Sequence, residues 1–405
     1  MTALQHSLAP TGSTCVHRGE IDVSWSFLTP ASARSPGGRP ALRALLGRWL
    51  VTGELPSVPD EALAGLLVKV AREQGLAGLL DQALGEQRAC WPGAAGMALR
   101  RAEQEDFAFG VRQLDTASRV QDLLGARGLR CLPLKGAALV ERLYDSVAHR
   151  PMADVDLLVL DVWPRAVTLL EEAGFTEQGQ ADHARAFLDP ASGTVVELHR
   201  GVTSCARLFP LDFDATWRRC RTGTGLMKQV PSSEDLLVHL ALHAAFQHGL
   251  VLRLVQFLDF RRLLEREPPD PVLLAQVATS ARAQGTVALA LEAARALVGA
   301  PLSPGLEELV TAWLPSGLRR YVAVKLRADP AALFDPAEPA LAWVRWQLAG
   351  GRRIVLVRET LSPSLSSFPS PTGLGAVVRG VRLARRWALP TFRSFGVAPP
   401  RRSSH

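Results

Sequence analysis

Residues 129–160 read LRCLPLKGAALVERLYDSVAHRPMADVDLLVL, and this stretch decides the fold. Two short apolar runs within it, LRCLPL (129–134) and VDLLVL (155–160), have the length and composition of buried strands. Between them, AALVERLYD has helical spacing and begins directly after a Lys-Gly pair. The stretch therefore predicts a strand, a helix and a second strand.

The mixed pattern continues to residue 199. RAVTLLEEAGF (165–175) predicts a short helix that ends at Gly174. HARAFLD (183–189) and TVVELH (194–199) then flank the turn Pro-Ala-Ser-Gly, as the two strands of a hairpin do.

Helical spacing dominates the chain on both sides of this mixed segment, from about Ala41 to Gly128 and again to about Leu348. The sequence therefore predicts an α+β fold, in which a small mixed sheet is embedded in a mostly helical chain. The predicted regions are an irregular leader (1–40), an N-terminal helical region (41–128), the core (129–215), a C-terminal helical region (216–350), and a Ser/Pro linker with a basic tail (351–405).

The net charge of +7 belongs to the end of the chain. From Gly373 to His405 there are seven Arg and no acidic residue, whereas residues 1–372 carry 39 basic and 39 acidic residues. Over 377–389 the arginines fall mainly on one face of a predicted amphipathic helix. Three interpretations stay open: the helix packs on the body, it touches an anionic membrane or a partner, or, least favoured because aromatics are few, it binds nucleic acid.

Several classes of protein are disfavoured. Five scattered Cys without a CxxC pair indicate neither a disulfide scaffold nor a zinc ribbon. The first 20 residues lack the pattern of a signal peptide, and no stretch of 18 uncharged apolar residues occurs, so we expect a soluble cytoplasmic protein. The GxSxG, GxGxxG and GxxxxGK[ST] motifs are absent, which disfavours hydrolase, Rossmann and Walker sites.

Three acidic residues carry the chemistry. Asp154 and Asp156 are two residues apart at a predicted strand, so their side chains share a face. Two negative charges at so short a distance repel each other, which favours a cation bound between them. Glu197 lies in the later strand TVVELH. If the two strands are neighbours, the three carboxylates could hold two Mg²⁺ ions, with Mn²⁺ as the alternative, for phosphoryl or nucleotidyl transfer.

A phosphate-binding turn is predicted where the first strand meets its helix. Gly136 lets a phosphate approach the backbone, the helix start offers free N–H groups, and Lys135 adds a positive charge. Lys is rare in this chain, which has 4 Lys among its 46 basic residues, so Lys135 is not the default choice of cation.

Together these motifs resemble the uncharacterised nucleotidyltransferase family of the DNA polymerase β-like superfamily. The likeness covers about residues 40–265 and is most specific over 129–199 and 231–262. It implies a sheet of the polymerase β-like nucleotidyltransferase type, a nucleotide-phosphate loop at Gly136, a metal-binding pair at Asp154 and Asp156, and a third acidic position at Glu197. Arg150, which precedes the pair, is implied to contact a phosphate or to orient the carboxylates.

Histidines near these motifs are weaker candidates. His199 faces the same side of its strand as Glu197 and is placed at the edge of the site, with a structural hydrogen bond as the alternative. His243 is expected near the substrate through packing of its helix on the core. Metal binding by His239 and His243, which are four apart, is disfavoured because no Glu follows the first His.

The expected activity is metal-dependent transfer of a nucleoside monophosphate from an NTP to an acceptor hydroxyl or phosphate, with release of pyrophosphate. The partners are thus an NTP and an unknown acceptor, which is a small molecule, a peptide or a protein. Two alternatives stay open: a toxin-like enzyme that modifies protein or RNA, and a non-catalytic nucleotide-binding scaffold of the same fold.

Overall fold

A computed structural model describes residues 38–58, 60–85, 91, 93–180, 183–323 and 340–361. Within these ranges the chain is mostly helical and contains one five-stranded mixed sheet, which confirms the predicted α+β class. The predicted leader up to residue 37, and the Ser/Pro linker and basic helix from residue 362, lie outside the described residues.

The sheet is formed by Cys131–Pro133 (β1), Val155–Val159 (β2), Thr176–Gln180 (β3), Ala184–Asp189 (β4) and Thr194–His199 (β5). Its strand order is β1-β2-β5-β4-β3. The pairing of β2 with β5 is parallel, and the other three pairings are antiparallel. The four predicted strands are therefore present, and the two that carry acidic residues are neighbours.

The edge strand β3 was not among the predicted strands. Its sequence, TEQGQ, is polar and has no apolar alternation. The strand pairs on one side only, and its register shifts between Glu177 and Gly179. A strand with no buried face leaves no hydrophobic pattern to detect.

Two helices connect the strands that bear the site. Lys135–Leu143 (α5) joins β1 to β2, and Trp163–Glu172 (α6) follows β2. Both were predicted. Helix α5 packs on β1 and β2, and α6 buries its apolar face beside the long helix Gly93–Gly125.

The chain before the sheet forms Gly38–Thr52 (α1), Glu61–Glu73 (α2), Ala77–Leu84 (α3) and Gly93–Gly125 (α4). Asp60 caps α2, since its side chain accepts a hydrogen bond from the Leu63 N–H at 2.9 Å. The 33-residue helix α4 packs across β1, β2 and β5, so it covers the sheet on one side.

The chain after the sheet is helical apart from a small ribbon, Arg221–Thr222 (β6) with Gln229–Val230 (β7). The helices are Phe213–Arg219 (α7), Ser233–Ala241 (α8), Leu254–Arg266 (α9), Pro271–Ser280 (α10), Gln284–Val298 (α11), Pro304–Trp313 (α12), Ser316–Tyr321 (α13), Ala340–Ala349 (α14) and Arg353–Leu361 (α15). The predicted Ser cap of α8 is confirmed, because the Ser232 hydroxyl accepts from the Asp235 N–H at 3.1 Å.

A single hydrophobic core joins these parts, from Leu42 in α1 to Leu356 in α15. Helix α11 lies at its centre, and the two charges that interrupt its Ala/Leu run, Glu292 and Arg295, form an ion pair with each other. No helix in the described part of the chain is both long and apolar enough to span a bilayer.

Candidate active site

One cavity of about 590 Å³ gathers most of the predicted site residues. Seven of the eight line it, namely Lys135, Gly136, Arg150, Asp154, Asp156, Glu197 and His243. The eighth, His199, does not line the cavity but is hydrogen-bonded to Asp156. Residues that are up to 108 positions apart in sequence thus converge on a single pocket at the face of the sheet.

Asp156 and Glu197 are side by side because β2 and β5 are parallel neighbours. Asp156 stands opposite Glu197 in the register, so both side chains leave the sheet on the same face. The Asp156 side chain is almost completely buried, whereas 35% of the Glu197 side chain is exposed. The adjacency on which the three-carboxylate hypothesis depends is therefore present.

His199 joins this acidic pair from the end of β5. Its Nε2 atom is 2.8 Å from Asp156 Oδ1 and 3.4 Å from Glu197 Oε2. Burial opposes a charge on His199, but hydrogen bonds to the two carboxylates outweigh it and raise the pKa of the imidazole. The structural hydrogen bond considered for His199 is present, and it connects the histidine directly to the predicted metal ligand.

Asp154 reaches the same cavity by a different route from the predicted one. It lies in the bend before β2, which begins at Val155, so the alternation of a strand does not account for its position. Burial and the negative charges of Asp156 and Glu197 raise the pKa of Asp154 to about 6. Three carboxylates therefore crowd one site, as expected where a cation is to be bound.

Lys135 faces this acidic cluster. Its Nζ atom is 2.5 Å from Asp156 Oδ1, and both side chains are largely buried. Burial disfavours both charges, yet their attraction prevails: the pKa of Lys135 is raised and that of Asp156 is held well below its usual range. Lys135 also has a φ of +44°, a strained conformation for a residue with a side chain. In this structure the ammonium neutralises an acid of the cluster.

Gly136 allows close packing beside Lys135. A Cβ atom at this position would lie 2.5 Å from Met152 Cγ and 2.6 Å from Met152 Sδ. The absence of a side chain therefore lets the start of α5 contact the loop that carries Asp154.

Arg150 is held inside the protein rather than directed at a phosphate. Its Nε and Nη2 atoms donate to the two carboxylate oxygens of Asp259, each at 2.7 Å, and Tyr144 also donates to Asp259. The Nη1 atom donates to the Pro151 carbonyl at 3.2 Å. Of the two roles implied for Arg150, the geometry favours orientation, because the guanidinium fastens the loop before Asp154 to helix α9.

Comparison with models of protein families shows to which family the chain belongs. The model of the family described as uncharacterised nucleotidyltransferase matches residues 60–299, which is more than half of the chain. The chain belongs to this family. Comparison with the curated proteins and with the solved structures returned no match.

The segment that matches the family model contains all eight predicted site residues and helices α2 to α11. The resemblance inferred from the motifs over about residues 40–265 is thereby confirmed as to family. The name of this family indicates nucleotidyl transfer.

The histidines of α8 and its extension do not form a second metal site in the part of the chain that is described. There, the group of side chains that could hold a metal ion is Asp156, Glu197 and His199, whose ligand atoms lie within 4.8 Å of one another. Helix α8 continues as a π-helical turn, Leu242–Gln247, which places His243 on the cavity lining. Burial lowers the pKa of His243 well below its usual value, so this ring is neutral.

Four polar residues of the cavity wall were not among the predicted site residues, namely Arg43, His248, Arg253 and Gln256. Arg43 comes from α1, outside the family match, and donates to the Leu252 carbonyl at 3.0 Å. Gln256 accepts from the Arg253 N–H at the start of α9. Arginine is common in this chain, and no local pattern marks the two that approach the site from distant helices.

Acidification is expected to destabilise the fold through His239 in α8. Burial lowers the pKa of His239 to about 3 from 6.5, so its neutral form contributes stability above pH 6.5 that is lost as the pH falls toward 3. Between pH 7 and pH 5 the wild type should lose about 2 kcal/mol more unfolding free energy than His239→Phe. Urea unfolding at both pH values measures this difference, and equal losses in the two proteins would contradict it.

Proposed function

We propose that this protein is a metal-dependent nucleotidyltransferase, which moves a nucleoside monophosphate from an NTP to an acceptor hydroxyl or phosphate and releases pyrophosphate. The observation that carries the proposal is the convergence of Asp154, Asp156 and Glu197 with Lys135 on one cavity. Membership of a nucleotidyltransferase family supports it.

The donor set fits divalent cations. Asp156, Glu197 and His199 bring their ligand atoms within 4.8 Å of one another. Burial and, after it, repulsion by Asp156 and Glu197 raise the pKa of Asp154, and a bound cation would relieve both effects. Carboxylate oxygens suit Mg²⁺ and Mn²⁺. Two ions held by Asp154, Asp156 and Glu197 would neutralise the triphosphate and the departing pyrophosphate.

The protein groups have separate tasks in this proposal. Glu197 has a lowered pKa, because His199 hydrogen-bonds to it, so its carboxylate is ionised at neutral pH and Oε2 can accept the proton of an acceptor hydroxyl. The backbone at Gly136 and the first N–H groups of α5 bind phosphate oxygens. Arg150 keeps the Asp154 loop in place through Asp259.

A radiochemical assay tests this proposal. The protein is incubated with Mg²⁺ and each of the four NTPs, labelled at the α-phosphate, with and without cell extract. We expect label transfer and pyrophosphate release from one or more NTPs, and neither from the variant with Asp154→Asn and Asp156→Asn. Asp115→Asn, at an exposed acid on α4, is the matched control that should retain activity. Turnover in the double variant would refute the mechanism, and tight NTP binding without turnover would favour a nucleotide-binding scaffold.

Extract fractions then address the acceptor. Label on protein or RNA would indicate a protein- or RNA-modifying enzyme, including the toxin-like class, whereas label on a small molecule would indicate a metabolic enzyme. We propose separately that the protein is cytoplasmic and that its basic tail contacts an anionic membrane or a partner.

Lys135→Met tests the phosphate role of the lysine. In this proposal the ammonium leaves Asp156 for the nucleotide, so its loss should weaken NTP binding about tenfold or more. Binding of Mn²⁺ without nucleotide should instead become tighter, because a competing cation is removed. Lys228→Met is the matched control, since Lys228 forms an ion pair with Asp122 at the surface. Unchanged NTP affinity in Lys135→Met, measured by calorimetry, would rule out the phosphate contact.

A further inference from the structure

Two arginines, Arg43 and Arg253, line the acidic cavity together with the three carboxylates. Arg43 belongs to α1, and Arg253 directly precedes α9. Packing brings them together, because Arg43 Nη2 donates at 3.0 Å to the carbonyl of Leu252, the residue before Arg253. The two arginines therefore form one basic wall of the cavity.

The charge of Arg253 is not neutralised by a neighbouring acid. Its Nη2 atom donates to the Pro151 carbonyl at 3.4 Å, which is long for a hydrogen bond, and within the described part of the chain it forms no ion pair. Arg150 donates to the same carbonyl, so two groups of like charge approach each other there. Burial and the positive charge of Arg150 lower the pKa of Arg253. A bound anion would relieve both effects.

The basic wall adjoins the phosphate-binding turn proposed at Gly136. A Cβ atom on Gly136 would lie 3.6 Å from Arg150 Nη1, the nitrogen that donates to Pro151. The Arg150 guanidinium and the Pro151 carbonyl are thus the groups that separate the turn from Arg253. Phosphates bound at the turn would lie close to the basic wall.

Charge balance favours a triphosphate in this cavity. Arg150 is neutralised by Asp259, and the remaining charged side chains of the lining are three cations and three carboxylates. His243 and His248 are neutral there, because burial lowers their pKa. Two divalent ions on the carboxylates would therefore leave about four positive charges in excess. An NTP carries about four negative charges near pH 7, and a diphosphate about three.

We propose that Arg43 and Arg253 bind the terminal phosphate of the NTP, so that the cavity selects triphosphates over diphosphates. This inference rests on the proposed function, in which the metal ions and the turn at Gly136 hold the inner phosphates. Guanidinium groups suit the task, because their N–H donors pair with phosphate oxygens. Arg43 lies before residues 60–299, so helix α1 adds to this subsite a group that the family model does not cover.

Calorimetric titration of the full chain with Mg²⁺ and two unreactive analogues, α,β-methylene ATP and α,β-methylene ADP, tests the subsite. The ratio of their dissociation constants, diphosphate over triphosphate, measures the contact with the terminal phosphate. We expect a ratio of about ten or more in the wild type, and a ratio about fivefold smaller in Arg253→Met and in Arg43→Met. The diphosphate analogue should bind these variants within about twofold of the wild type.

Matched controls come from the same two helices. Arg48→Met on α1 and Arg266→Met on α9 each remove an arginine that is paired with an acid near the surface, so the ratio should stay within about twofold. Circular dichroism shows which variants are folded, and Arg43→Met and Arg253→Met test the subsite independently.

Inorganic phosphate, titrated onto the protein saturated with Mg²⁺ and the triphosphate analogue, separates the NTP from an acceptor phosphate. Phosphate binding that disappears in Arg253→Met would assign the arginines to the acceptor and overturn the proposal. An unchanged ratio in the folded arginine variants would also overturn it, while NTP binding at the acidic cavity would stand. If the wild type bound neither analogue, the proposed function would fail together with this inference.

Discussion

Asp156→Asn is expected to lower the rate of nucleotidyl transfer about 1,000-fold. Asp156 is the buried centre of the acidic cluster, in contact with both Lys135 and His199 and opposite Glu197. A neutral amide in its place cannot balance the charge of a cation. The variant should therefore bind the metal ions poorly and lose their stabilisation of the charge on the transferred phosphate.

The initial rate of pyrophosphate release at saturating NTP measures this effect. Asp115→Asn should stay within about twofold of the wild type, because its ion pair with Arg119 is at the surface. Circular dichroism must show that Asp156→Asn is folded, since Lys135 and His199 lose their buried partner. A rate within tenfold of the wild type in the folded variant would mean that Asp156 does not take part.

Asp259→Asn is expected to cause the largest loss of stability, about 3–5 kcal/mol of unfolding free energy. Asp259 is fully buried and is the partner of the Arg150 guanidinium, and it also accepts from Tyr144. Removing the carboxylate charge leaves the buried guanidinium without its hydrogen-bonded counter-ion.

Urea unfolding at pH 7 measures this loss against Asp115→Asn, for which a change within about 0.5 kcal/mol is expected. Both variants remove one carboxylate from an Arg–Asp pair, so the contrast isolates the effect of burial. A loss below 1 kcal/mol in Asp259→Asn would show that the loop before Asp154 does not depend on this pair.

The strands and helix at the centre of the fold could be predicted from the sequence, because their hydrophobic patterns are local. The strands β1, β2, β4 and β5 each bury apolar residues with short spacing, and only Leu134 separates β1 from helix α5. Edge strand β3 has no buried face and therefore left no pattern.

Only part of the site could be predicted from the sequence, because the site combines residues that are far apart along the chain. Asp156 and Glu197 follow from motifs on strands, but their adjacency depends on the sheet register, which pairs residues 41 positions apart. The partner of Arg150, Asp259, is 109 residues away in a helix, and Arg43 comes from another. Such contacts are fixed by packing of distant elements and have no signature in the local spacing.

We propose that the acidic cavity binds divalent cations together with an NTP. Electron paramagnetic resonance of Mn²⁺, titrated with the protein and an α,β-methylene NTP analogue that cannot react, tests it without relying on turnover. We predict two bound Mn²⁺ per chain in the wild type, and loss of both in the variant with Asp154→Asn and Asp156→Asn. Equal Mn²⁺ binding by the wild type and the folded double variant would contradict the claim.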